Sequence, residues 1–214
     1  MNAEYPIITI GREIGSGGLA IAKILSENLE IPLYDKTLLS LASKDSGLEQ
    51  VFFEKADEKD SYNFFQKALN NVFENQNNFI CNEDLFKFQS ETIKKIAATE
   101  SCIFVGRCAD YILRERQNVM SLFFCATIED RIKNMTKNLH LPQKQILKLI
   151  EQTDKKRSAY YNFYTNKTWG KAASYDICIN TSLLGIEKSA LVVLDIFRKR
   201  FRTCLNVIKK HLND

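Results

Sequence analysis

Apolar and polar positions along this chain follow two alternating periods. "IITI", residues 7–10, is a short unbroken apolar run, as expected for a strand covered on both faces. From Leu19 the apolar positions Ile21, Ile24, Leu25 and Leu29 repeat at helical spacing, and "IPLYD" then reads as a second buried strand ending in Asp35. Strand, loop, helix and strand make a βαβ unit. Residues from about 37 to 100 read as amphipathic helices joined by polar turns. "SCIFVGR" (101–107) and "VMSLFFCAT" (119–127) return to strand, each followed by helix, and "YDICIN" (175–180) is a final strand. Pro142 takes the first turn of a helix that is apolar at Ile146, Leu149 and Ile150 and then turns basic. Ile186, Ala190, Val193, Leu194, Phe197, Phe201, Leu205 and Ile208 keep the stripe of a long C-terminal helix.

Strands alternating with helices imply a mostly parallel sheet with helices on both faces, here as one α/β domain over residues 1–214. Ligands of such sheets bind beyond the carboxyl ends of the strands. "GREIGSGG" after the first strand, Asp35 after the second and "GRCAD" after a later one all fall at that rim. Three clusters far apart in sequence therefore converge on one crevice.

The glycine-rich loop has three readings. A P-loop is G-x-x-x-x-G-K-[S/T], its amides enclosing phosphate and its lysine reaching the transferred groups, but Gly18 stands where that lysine belongs. Gly15, Gly17 and Ala20 also satisfy G-x-G-x-x-[G/A], with Asp35 placed as the ribose-binding acid of a dinucleotide site. In that fingerprint the first glycine sits almost directly after the strand, whereas Gly15 stands five positions beyond Ile10, the longer wrap of a phosphate loop. The third reading is a plain flexible turn.

Composition narrows the chemistry. Of 214 residues, 45% are hydrophobic and 26% charged, the balance of an ordinary globular protein. A net charge of +4, with lysines scattered among glutamates, favours small anionic partners over a nucleic-acid surface. Six cysteines without a C-x-x-C pair, and only two histidines (His140 and His211), argue against zinc. Cys102, Cys125 and Cys178 fall in apolar strand-like runs and read as buried thiols, which fits a reducing cytoplasm. "MNAEYP" lacks the basic-then-apolar pattern of a secretory signal, and no apolar run reaches the roughly 18 residues of a membrane span.

The segments "ITIGREIGSGG", "IPLYDKTLL", "FVGRCADYIL", "DKKRSAYYNFYTNKTWG" and "YDICINTSLLG" resemble, in order, the cytidylate kinase-like family of P-loop nucleoside monophosphate kinases. The resemblance implies a three-layer P-loop NTPase fold with five parallel strands, a helical acceptor-side insertion (about 40–100) and a basic lid (about 142–172). It also implies ATP and magnesium as cofactors and small-molecule nucleotides as partners. By this resemblance Arg12, Glu13, Ile14, Gly15, Ser16, Gly17 and Gly18 form the phosphate loop. Asp35, Lys36, Arg107 and Asp110 lie on the acceptor side, and Lys155, Lys156 and Arg157 in the lid, followed by Tyr160 and Tyr161. The departures are Arg12 for the first loop glycine, Gly18 for the lysine, Leu19 or Ala20 for the magnesium-binding hydroxyl, and Cys108 for the acid after Gly-Arg.

A missing lysine can be replaced by another cation, because phosphoryl transfer depends on alignment and charge neutralisation. Arg12, Lys36 and Arg157 are the candidates, with Arg12, Arg107 and Arg157 as the expected catalytic set and Ser16, Asp35 or Asp110 as magnesium ligands. Structural alternatives stand beside these roles. Arg12 and Glu13 could form a local ion pair, Asp110 could cap the following helix, Arg131 could bridge to Asp130 or Glu129, and Trp169 could pack in the lid.

Overall fold

A computed structural model describes residues 5–35, 83–139 and 141–201. Lys36, His140, His211 and most of the 40–100 insertion lie outside the described residues, as do Leu205 and Ile208 of the C-terminal stripe. Strand β1 (Ile7–Arg12) leads through the glycine loop into helix α1 (Gly18–Leu29), and β2 (Leu33–Tyr34) follows. Helix α2 (Glu83–Thr99) precedes β3 (Cys102–Val105) and the single turn α3 (Ala109–Ile112). Then come β4 (Val119–Cys125), α4 (Ile128–Asn138), α5 (Gln143–Thr165), β5 (Ile177–Asn180) and α6 (Thr181–Arg200).

All five strands are parallel, in the order β2-β3-β1-β4-β5. In the common dinucleotide-binding sheet the second strand lies beside the first. Here β3 and β4 flank β1, so the loop leaves the middle of the sheet with other strand ends on both sides.

The unbroken apolar runs have a simple cause. Ile8 and Ile10 of β1 and Ile103 and Val105 of β3 pack with Ile21 and Leu25 of α1 and Val193 and Phe197 of α6. Their neighbours Ile7, Cys102 and Phe104 turn to the opposite layer, against Ile93 and Ala97 of α2 and Ala109 of α3. A third, smaller cluster joins α4 and α5 through Met135, Ile146 and Ile150, with Ile14 of the loop packed against it. That contact ties the glycine loop to a helix pair far along the chain.

Several expected details change. The second strand is only two residues long and half-buried, because it is a sheet edge paired only with β3. Cys102 and Cys108 are buried free thiols, but Cys178 is exposed, since β5 is the opposite edge and alternates between exposed and half-buried positions. Asp110 is no helix cap. Cys108 takes the N-cap position of α3, and Asp110 lies in its first turn. Helix α6 is kinked at Gly185, which has φ of 78°.

Phe124 and Phe197, 0% and 1% exposed, are among the largest side chains of the α1/α6 layer. Phe197→Ala is expected to lower unfolding free energy by about 3–5 kcal/mol, the usual cost of deleting a buried ring, read from urea denaturation.

Candidate functional site: an arginine-lined glycine loop

The loop between β1 and α1 is fastened from three directions. Arg131 of α4, only 7% exposed, donates from Nε to the Ile14 carbonyl at 2.8 Å. Its other nitrogens pair with Glu13 (3.4 Å) and with Asp154 of α5. Asp154 in turn accepts the Ile14 backbone N–H at 3.0 Å, and Asn134 donates to the Gly15 carbonyl at 2.9 Å. Glu13 also accepts the Ala126 N–H at 3.1 Å, anchoring the loop to the end of β4. Glu13 therefore pairs with Arg131 rather than with Arg12, and Arg131 reaches past Asp130 and Glu129 to the loop.

Ser16 is fully buried and donates its hydroxyl to the Glu13 carbonyl at 2.8 Å, while Thr181 donates to the Ser16 carbonyl at 2.7 Å. The Ser16 hydroxyl thus closes the loop upon itself. Gly17, with φ of 83°, is the N-cap of α1 and supplies no side-chain cap. The first-turn amides of a helix have no partner within it, so this uncapped end favours an anion.

Arg12 leaves the end of β1 half-buried, with its guanidinium beside Gly106 at the end of β3. Arg157 of α5 donates to the Arg12 carbonyl at 3.0 Å. Burial, reinforced by the charges of Arg157 and Arg107 and opposed by Asp35 and Asp154, pushes the Arg12 guanidinium down to about 9. It remains protonated at neutral pH, but the site holds more positive charge than its carboxylates offset. Burial also lowers Arg157, although Asp154 opposes that shift.

Arg107 is aimed by an unusual stretch of backbone. Gly106, Arg107 and Cys108 all lie in the left-handed region, with φ of 80°, 59° and 56°. Each non-glycine residue held there costs roughly 1–2 kcal/mol. The Arg107 guanidinium lies 6.0 Å from the ring centre of Tyr160, whose hydroxyl donates to the buried Gln89 at 3.3 Å. Tyr160 and Tyr164 join Phe86 of α2 in an aromatic cluster, in which Phe86 stacks on Tyr164 at 4.0 Å.

Asp110 accepts a hydrogen bond from Tyr161 at 2.7 Å, and the Tyr161 ring stacks on Tyr175. Burial raises its carboxyl above the usual range, although the Tyr161 bond and Lys167 oppose the shift. Trp169 packs edge-on against Phe123.

The structure thus brings together Arg12, Arg107, Arg157, Asp35 and the loop residues 12–18. Leu19 and Ala20 are exposed on the first turn of α1. Lys155 is exposed and Lys156 half-buried, while Asp154 and Arg157 of the same run turn inward. Asp154 and Asn134 were not anticipated as loop partners. The signal for Asp154 was its position three residues before Arg157, which sets both on one helical face.

A glycine-rich loop from the central strand of a five-stranded parallel sheet in this order, leading into a helix with no side-chain cap, is the fold of the P-loop kinases. The chain belongs to the cytidylate kinase-like family, whose model matches residues 7–183. It is similar to the crystal structure of an uncharacterized protein from Eubacterium ventriosum ATCC 27560, with 29% identity and a TM-score of 0.70 over 90% of this chain and 98% of that one. Shikimate kinase from Bacteroides thetaiotaomicron shares the fold at 13% identity and a TM-score of 0.50, over 90% of this chain and 98% of that one. None of the curated proteins matches the sequence. Among the described residues, no helix is long and apolar enough to cross a membrane.

Two outcomes test this network. Arg131→Met leaves the Asp154 and Glu13 carboxylates without their buried cation and is expected to cost about 3–5 kcal/mol in urea unfolding. Adding Asp154→Asn should recover at least 1 kcal/mol of that loss, as expected for directly coupled partners. Asp110 has a folded pKa above its unfolded value, so stability falls as pH rises from the unfolded value through the folded one. Asp110→Asn should therefore be more stable than the unaltered protein at neutral pH, with the difference shrinking below the ordinary carboxylate range.

Proposed function

We propose that this protein transfers the terminal phosphoryl group of ATP to a nucleoside monophosphate, CMP or dCMP by family analogy. The observation that supports this reading is the convergence of Arg12, Arg107 and Arg157 on a glycine loop at the uncapped start of α1. The loop amides and Arg12 hold the donor phosphates. Arg107 and Asp35 orient the acceptor, and Arg157 neutralises charge on the moving group. An acceptor phosphate oxygen attacks the γ-phosphorus as the bond to the β-phosphate oxygen breaks, and ADP leaves. Such a reaction needs positioning and charge more than covalent help from the protein.

Magnesium usually enters such sites on the phosphates, with one or two carboxylates completing its shell. Among the described residues no three Asp, Glu, His or Cys side chains gather, and Asp35, whose charge acts on Arg12, fits the single-carboxylate mode. When bound, the ion would neutralise donor phosphate charge. The basic stretch of α5 around Lys155, Lys156 and Arg157 serves as the lid in this reading, and the insertion of about 40–100 serves the acceptor. A cytoplasmic location fits the soluble metabolites involved.

A second reading keeps nucleotide binding without transfer, as in a regulatory protein. Gly18 in the lysine position and the Ile14 amide already held by Asp154 favour it. Magnesium-ATP with a panel of monophosphates separates the two. The kinase reading expects ADP and a diphosphate product, with Arg107→Ala lowering kcat/KM by about 10²-fold or more. Calorimetric ATP binding by folded protein with no product from any acceptor would instead establish the second reading.

A further inference from the structure

Gly18 and Arg12 occupy the two P-loop positions where this sequence departs most, and they touch. A Cβ added to Gly18 would lie 2.7 Å from the Arg12 Cβ and 3.2 Å from its Cγ. No real pair of Cβ atoms stands so close, and neither can rotate away, because the backbone fixes both. On this backbone positions 12 and 18 therefore cannot both carry side chains without a shift of the loop. A glycine at either position removes the collision.

The P-loop pattern meets that constraint with glycine first and lysine seventh. This chain meets it the other way round, with Arg12 first and Gly18 seventh. We propose that the two residues are a reciprocal exchange, in which Arg12 crosses the bare backbone of Gly18 to supply the cation that touches the transferred phosphoryl group. The inference rests on the kinase reading above.

The path of the side chain supports this assignment. Its stem lies over Gly18 at the start of α1, and its Nη1 reaches the end of β3, 2.6 Å from where a Cβ on Gly106 would stand. A second glycine thus makes room for the guanidinium. The cation that Glu13 and Asp154 pair with directly is Arg131. The Arg12 head thus lies beside Gly106, the residue before Arg107, where in this proposal donor and acceptor phosphates meet. A lysine at position 18 would start from the helix instead, so the exchange moves the origin of the cation from α1 to the end of β1.

Four variants test the exchange, with magnesium-ATP affinity read by calorimetry and turnover read with the best acceptor. Arg12→Gly should weaken ATP binding by about 10- to 100-fold, the scale of a lost charge-assisted contact. Gly18→Lys alone should be equally impaired despite its added charge, because its Cβ collides with Arg12. Arg12→Gly combined with Gly18→Lys should return ATP affinity to within tenfold of the unaltered protein. Arg12→Gly with Gly18→Ala relieves the collision without replacing the cation, and should stay as weak as Arg12→Gly.

Undiminished binding by Gly18→Lys, or a double exchange no better than Arg12→Gly, would overturn the proposal. Urea midpoints read the steric half without nucleotide. Gly18→Ala must destabilise the protein carrying Arg12 and must not destabilise the one carrying Arg12→Gly; equal effects in both backgrounds would refute the exchange. If the unaltered protein binds no ATP, the kinase reading and the phosphate role of Arg12 fall together, while those midpoints still decide whether the two positions exclude one another.

Discussion

One buried cation holds the loop in shape. Arg131 is the point at which α4, α5 and the glycine loop meet, through the Ile14 carbonyl and the carboxylates of Glu13 and Asp154. Desolvating a guanidinium is costly, and only close partners with good geometry offset it. Arg131 and those partners come from three separate stretches of chain, so the loop acquires its form only when the surrounding helices are docked. Ile14 adds an apolar anchor to the same helix pair.

Charge is then divided unevenly across the crevice. Arg131 is paired with Glu13 and Asp154, whereas Arg12 lies among the charges of Arg157 and Arg107, which Asp35 and Asp154 oppose. Structural ion pairs thus fix the loop through Arg131 and leave the excess positive charge around Arg12. The uncapped start of α1 adds its partial positive charge in the same place.

The sheet and its crevice were legible because they depend on local pattern. "IITI" and "SCIFVGR" show their two-sided burial in unbroken apolar runs, and parallel strands place the following loops at a common rim. Contacts between distant segments left weaker traces. Arg131 has acidic neighbours at 129 and 130, which invite a local bridge, yet its partners are Glu13 and Asp154. Burial drives that choice, since pairing with exposed neighbours would leave the loop carboxylates without a cation. Cys178 misled for the converse reason, since an apolar run does not reveal that its strand lies at an edge. The packing of Arg12 on Gly18 involves residues only six apart, but its meaning depends on the direction in which the loop folds back.

The aromatic contact between α5 and α2 carries a mechanical consequence. Tyr160 and Tyr164 meet Phe86, and the Tyr160 hydroxyl reaches Gln89, so the C-terminal half of α5 is attached to α2. Its middle is attached to the loop through Asp154 and Arg157. A helix pinned at two points along its length cannot swing as a free flap about one end. Movement of α5 away from the crevice must either separate the stacked rings or carry α2 with it as a single rocking unit, coupling the two sides of the cleft.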